Sequence, residues 1–205
     1  MPQPAGSLVR KPDHPVERLF VDRWSPRSLT GEPIPEADLL TLFEAARWAP
    51  SSYNNQPWRL LYARRETPQW PLFFDLLMDA NKAWAKDAAV LVLFVSNTKF
   101  DHNGKPSPTH SFDCGAAWEN LALQATALGY VAHGMQGFDT EAAPRVLDIP
   151  ADFQVEAMAA LGKQGPKEKL PPEIQARENP SGRRPLAETV AEGKFTPALR
   201  HAEKK

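Results

Sequence analysis

The nine residues Ala88 to Ser96 read AAVLVLFVS, with no charge, glycine or proline among them. A run of this kind, rich in Val and Leu, predicts a strand buried on both faces at the centre of a sheet. It is far too short to cross a bilayer, which takes about 20 apolar residues in a helix. A strand hidden on two sides demands a covering layer on each, so the chain must build a sheet flanked by helices. At 205 residues it has length for one domain of ordinary size with a real core.

The flanking elements are legible from periodicity. Pro35 opens a helix where its missing N–H costs nothing, and Leu39, Leu42, Phe43 and Ala46 recur at helical spacing until Ala49-Pro50 stops it. Residues 69–85 read as a second helix, with room for a break near Asn81. Residues 112–128 form the clearest helix, with so little charge that most of its sides must be covered, and Gly129 ends it. Strands are expected at 59–64, 88–96, 130–135 and 154–161. The order is helix, strand, helix, strand, helix, strand, short helix, strand, a mixed α/β or α+β arrangement. Of the 21 prolines, seven fall in residues 1–35 and six in residues 166–197, so both ends should be irregular, with 1–16 and 193–205 as extended arms on a single domain.

Bulk properties exclude several classes of function. The net charge is -1, which removes any global electrostatic case for nucleic acid or an anionic membrane as partner. The single cysteine, Cys114, forbids an intrachain disulfide. Residues 1–6 hold no apolar run of the signal-peptide kind. A cytoplasmic protein is the expectation. Asp101, His102, His110 and Cys114 lack the compact ligand spacing of a zinc site, so no metal is expected.

Four segments could carry chemistry. Residues 50–58 pack Ser51, Ser52, Asn54, Asn55 and Gln56 between Pro50 and Pro57-Trp58. These side chains donate and accept, and so could read the edge of a polar heterocycle. The plain alternative is a polar helix-to-strand connection. Arg23, Trp24, Ser25, Pro26 and Arg27 combine forked donors with a short hydroxyl, as a phosphate site would, or else form a solvated basic turn. His133, Gly134, Met135, Gln136 and Gly137 would let backbone approach a flat ligand, or else mark a strand-to-helix turn. Arg183-Arg184 forms a further basic pair near the end, or a solvated one.

In order and spacing these segments resemble the nitroreductase family of FMN-dependent oxidoreductases. The resemblance covers about residues 17–192. Its elements are Arg23-X-Ser25-X-Arg27, the run Ala49-Pro50-Ser51-Ser52-Tyr53-Asn54-Asn55-Gln56-Pro57-Trp58, Asn81, the stretch Asp113 to Gly129, Gln136-Gly137-Phe138-Asp139, and Arg183-Arg184-Pro185-Leu186. The 50–58 run is the most specific.

The resemblance implies an α+β fold with a central mixed or antiparallel sheet flanked by helices, and FMN at a homodimer interface. It implies that Arg23, Ser25, Arg183 and Arg184 hold the phosphate, with Trp24 beside them. Arg27 and Asn81 would face the pyrimidine edge, where a cation stabilises the negative charge that reduction brings. Pro50, Ser51, Ser52, Asn54 and Gln56 would reach the partner's flavin, while the backbone of Gln136 and Gly137 faces N5 and Met135 also contacts the cofactor. No side chain need act as acid, base or nucleophile. NADH or NADPH would give hydride, and a small nitroaromatic, quinone or enone would take it in a ping-pong sequence. A flavin carrier or sensor would keep the same contacts, and relatives of the fold also dehydrogenate or dehalogenate. The chain departs from the family at Trp84, where many members carry Lys or Arg. Residues 97–111 read as a loop over the site.

Overall fold

A computed structural model of the chain describes residues 6–200. The elements are α1 (Arg18–Asp22), α2 (Glu36–Arg47), β1 (Trp58–Arg64), α3 (Trp70–Phe74), α4 (Asp79–Ala85), β2 (Val90–Asn97), α5 (His110–Ala127), β3 (Val131–Met135), α6 (Ala143–Val146), β4 (Phe153–Gly162) and α7 (Pro172–Gln175). The four strands form one antiparallel sheet in the order β1-β2-β4-β3. Of the two sheet types the sequence left open, the antiparallel one is built. The α+β reading holds.

Strand β2 lies inside the sheet, and Val90 to Val95 are each at most 2 % exposed. Its side chains alternate between two cores. Val90, Val92 and Phe94 join Leu39 and Leu42 of α2 and Ala117 and Leu121 of α5 on one face. Leu91, Leu93 and Val95 join Phe73, Leu76, Leu77 and Met158 on the other. Truncating one such buried leucine costs about 2–5 kcal/mol, so this strand anchors the whole molecule.

The stretch read as one helix over 69–85 is two. It breaks at residues 75–78 rather than near Asn81, because this backbone is needed elsewhere. Leu77 bridges Phe138, the Met78 N–H donates to the Gly137 carbonyl at 3.0 Å, and the Asp139 N–H donates to Leu76 at 2.8 Å. The first arm is not wholly extended: Gly6–Leu8 form a 3-10 turn seated on α1, and the Ser7 N–H donates to Asp22 at 3.0 Å. The far end carries a similar turn at Pro197–Leu199.

Candidate functional site

Residues 23–30 leave α1 as an extended segment lying beside the end of β4. Gly165 donates to the Ser28 carbonyl, Thr30 to Lys163, and Leu29 bridges Gln164. Its turn is fixed by Glu178, whose carboxylate is fully buried and accepts the N–H groups of Arg27 and Ser28 at 2.7 and 2.9 Å. The second oxygen of Glu178 has no hydrogen-bond partner among the described residues and lies 3.9 Å from the Arg27 guanidinium.

This geometry opens a cavity of about 320 Å³ into which five arginines converge: Arg10, Arg23, Arg27, Arg177 and Arg183. Trp24, Ser25, Asn179, Ser181 and His133 complete the wall, and no carboxylate lines it. Arg23 reaches Ser25 at 3.4 Å and Glu119 at 3.6 Å. Burial holds the Arg27 guanidinium below its ordinary value; Glu178 opposes the shift and Arg177 adds to it. Cations crowded at a partly buried site call for an anion, and a phosphate presents the acceptors that guanidinium forks fit.

His133, on β3, sits within this field. Its Nδ1 lies 3.0 Å from the Pro26 carbonyl, which can only accept, so Nδ1 carries the proton. Burial above all, with Arg27 and Arg23 adding to it, pushes its pKa down to about 4, against the opposing pull of the carbonyl bonds. Near neutral pH the ring is uncharged, and its Nε2 is an acceptor in a wall of donors. Trp84 is 2 % exposed, and its ring lies 4.6 Å from that of His133. Trp84 does not line the cavity itself but packs behind His133, and it brings no charge there.

The turn after β3 abuts the same region. Asn81 donates from Nδ2 to the Gly137 carbonyl at 3.0 Å. A Cβ at residue 137 would come within 2.7 Å of that nitrogen, so a larger residue there would have to displace the Asn81 amide. Among the described residues, the N–H groups of Gln136 and Gly137 meet no protein acceptor. They are free to face a ligand. Met135 is buried beneath them.

The segment 50–58 stands elsewhere, between α2 and β1. Tyr53, Asn54 and Gln56 all take positive φ, at 52°, 53° and 48°. Asparagine tolerates this region; for Tyr and Gln it is strained, at a cost of order 1–3 kcal/mol. The shape is enforced by cross-links. The Ser52 N–H donates to the buried Asp113 carboxylate at 3.1 Å, Gln56 donates from its backbone to Ser51 Oγ at 3.0 Å, and Asn55 bonds both Lys99 and Asp101 in the following loop. Tyr53, 82 % exposed, packs against Phe100 and His102. Strand order puts β1 and β3 on opposite edges of the sheet, so within one chain this loop lies on the order of 15 Å or more from the glycine turn. None of its residues lines the arginine cavity.

The structure gathers Arg23, Trp24, Ser25, Arg27 and Arg183 at one cavity. Arg184 does not line it, and its guanidinium lies 3.8 Å from Glu188. Sequence reasoning missed Arg10, Arg177, Asn179, Ser181 and the buried Glu178, which only the tertiary fold brings to this place. Cys114 is buried, and burial first, then Glu156 and Asp113, push its thiol up to about 12, so it is no nucleophile. Among the described residues no three His, Cys, Asp or Glu side chains converge as a metal would need, and no helix is long and apolar enough to cross a membrane.

A family model, "Nitroreductase family", matches residues 21–69 and 63–163. Protein DrgA of Synechocystis sp. is 32% identical over 176 residues, which are 73% of this chain and 81% of that protein. An NADH dehydrogenase of Thermus thermophilus is 29% identical over 184 residues, covering 73% of this chain and 88% of its own. Among solved structures, an oxidoreductase containing FMN superposes with a TM-score of 0.88 at 50% identity, over 91% of this chain and 96% of that one. A Desulfovibrio desulfuricans protein solved in complex with FMN superposes with a TM-score of 0.69 at 26% identity, over 90% of this chain and 100% of that one.

Proposed function

We propose, since the chain belongs to the nitroreductase family, that it is an FMN-dependent oxidoreductase taking hydride from NADH or NADPH and passing it to a small organic acceptor. The observation that carries the reading is the arginine cavity, together with a glycine turn after β3 whose two N–H groups meet no acceptor among the described residues. Bound FMN would supply the hydride-exchanging N5 atom; the protein supplies seating, orientation and charge.

In this reading Arg23, Ser25 and Arg183 hold the phosphate, with forks and hydroxyl that fit a dianion. Arg27 and Asn81 face the pyrimidine edge. Arg27 is the cation that balances negative charge there, moderated by Glu178 behind it, because Trp84 offers none. Gln136 and Gly137 orient the ring by their backbone. Pro50, Ser51, Ser52, Asn54 and Gln56 serve a second copy's cofactor; their place at the far edge of the sheet and the rigidity of their loop support a site shared between two chains. Donor and acceptor then use one open face in turn, giving ping-pong kinetics. The acceptor belongs to the nitroaromatic, quinone or enone class.

The test is steady-state oxidation of NADH and NADPH by the FMN-loaded protein with a nitroarene or a quinone. The expected result is turnover well above that of free FMN, with parallel double-reciprocal lines. No rate above free FMN would leave a flavin carrier or sensor as the better description.

A further inference from the structure

Arg10 belongs to no element that the site reading uses, yet it lines the arginine cavity. Its Nη1 donates to the carbonyls of Val21 and Arg23 at 3.0 and 2.6 Å, and its Nε donates to the carbonyl of Ser181 at 2.8 Å. One guanidinium thus ties the backbone that presents Arg23 to the backbone that presents Arg183, two segments separated by most of the chain. These bonds use three of its five N–H groups. The remaining two, on Nη2, meet no acceptor among the described residues, and no carboxylate there lies within ion-pair distance of Arg10. Burial first, then Arg183 and Arg23, hold its pKa below the ordinary arginine value. A partly buried cation with two donors to spare, facing a cavity without carboxylates, is half of an ion pair.

The arm that carries Arg10 is built to deliver it. Gly6 is buried against α1, where a Cβ would stand 2.1 Å from the Val21 carbonyl oxygen, so only glycine fits. The Arg10 N–H returns to the Gly6 carbonyl at 2.8 Å, closing the turn that aims the side chain.

We infer that Arg10 is a third arginine of the phosphate clamp, and that residues 6–10 are therefore part of the cofactor site rather than an appendage. The inference rests on the reading that this cavity seats a phosphate. It predicts that Nη2 of Arg10 donates to a phosphate oxygen while Nη1 and Nε hold the two flanking segments in place.

The experiment compares FMN with riboflavin, which lacks the phosphate, on protein stripped of flavin. Affinities are measured by quenching of flavin fluorescence for wild type, Arg10→Gln, Arg10→Ala and Arg23→Ala. Gln removes the charge and keeps an amide that can donate to a carbonyl, though on a shorter side chain; riboflavin, whose binding needs the fold but no phosphate site, guards against simple loss of folding. The expected result is a 10- to 100-fold weaker Kd for FMN in both Arg10 variants and an unchanged Kd for riboflavin. Equal losses for both flavins would make Arg10 a structural tie only, and overturn the inference. Undiminished FMN affinity in Arg10→Gln and Arg10→Ala alongside a clear loss in Arg23→Ala would overturn it too, while leaving the phosphate reading intact. No loss in Arg23→Ala either would remove the phosphate from this cavity, and Arg10 with it.

Discussion

His133 shows what a single residue experiences inside the arginine cavity. Its ring is buried, tethered to the Pro26 carbonyl and held neutral down to about pH 4. An unfolded histidine takes its proton near pH 6.5. Above that value both states are neutral and the residue does not affect stability. Below it the unfolded chain binds a proton that the folded chain refuses, so stability falls as pH drops from about 6.5 to about 4. The full loss is about 3 kcal/mol for such a displacement. Chemical denaturation of the flavin-free protein at pH 7 and pH 4.5 should reveal it. His133→Gln, which can still donate to the Pro26 carbonyl, should flatten that part of the profile; an unaltered slope would assign the acid sensitivity to other groups. Bound phosphate would offset the nearby arginine charges, so the loaded protein should be less acid-sensitive.

Among elements, the broken helix and the glycine turn explain one another. α3 and α4 do not run on as one helix because residues 76–78 hydrogen-bond to residues 137–139, and Asn81 then reaches the Gly137 carbonyl from the start of α4. Gly137→Ala would push its new methyl into Asn81 and break that bond. The expected cost is about 1 kcal/mol of stability, or roughly 2–4 °C in Tm for a domain of this size, with a larger proportional loss of FMN affinity and activity. Wild-type FMN affinity in this variant would show that the turn does not face the flavin. The same pair of elements marks the limit of what the sequence reveals. Strand β2 and helices α2 and α5 are legible because apolar spacing repeats within each segment. The break at 75–78 is not, since its cause lies about sixty residues away. The loop at 50–58 is legible as polar and closed by prolines, but positive φ at Tyr53 and Gln56 contradicts their residue types and is imposed by Asp113, Ser51 and the following loop. Arg23, Ser25, Arg27 and Arg183 stand out as residues suited to phosphate. Arg10 and Arg177 do not, because nothing local separates them from ordinary surface charge.

For the molecule as a whole, the parts of the proposed site lie at two edges of one sheet. The arginine cavity and the glycine turn belong to the β3 side and the constrained loop to the β1 side. One chain leaves the large side chains of Phe20, Trp48, Tyr53 and Phe112 largely exposed. In the proposed arrangement FMN is bound between two chains, each giving phosphate ligands to one flavin and its 50–58 loop to the other. Native mass spectrometry of the purified, FMN-saturated protein tests this most directly. The predicted species is a dimer carrying two FMN molecules, with flavin lost as the dimer is dissociated. A monomer that retains FMN, or a dimer that takes up none, would contradict the account.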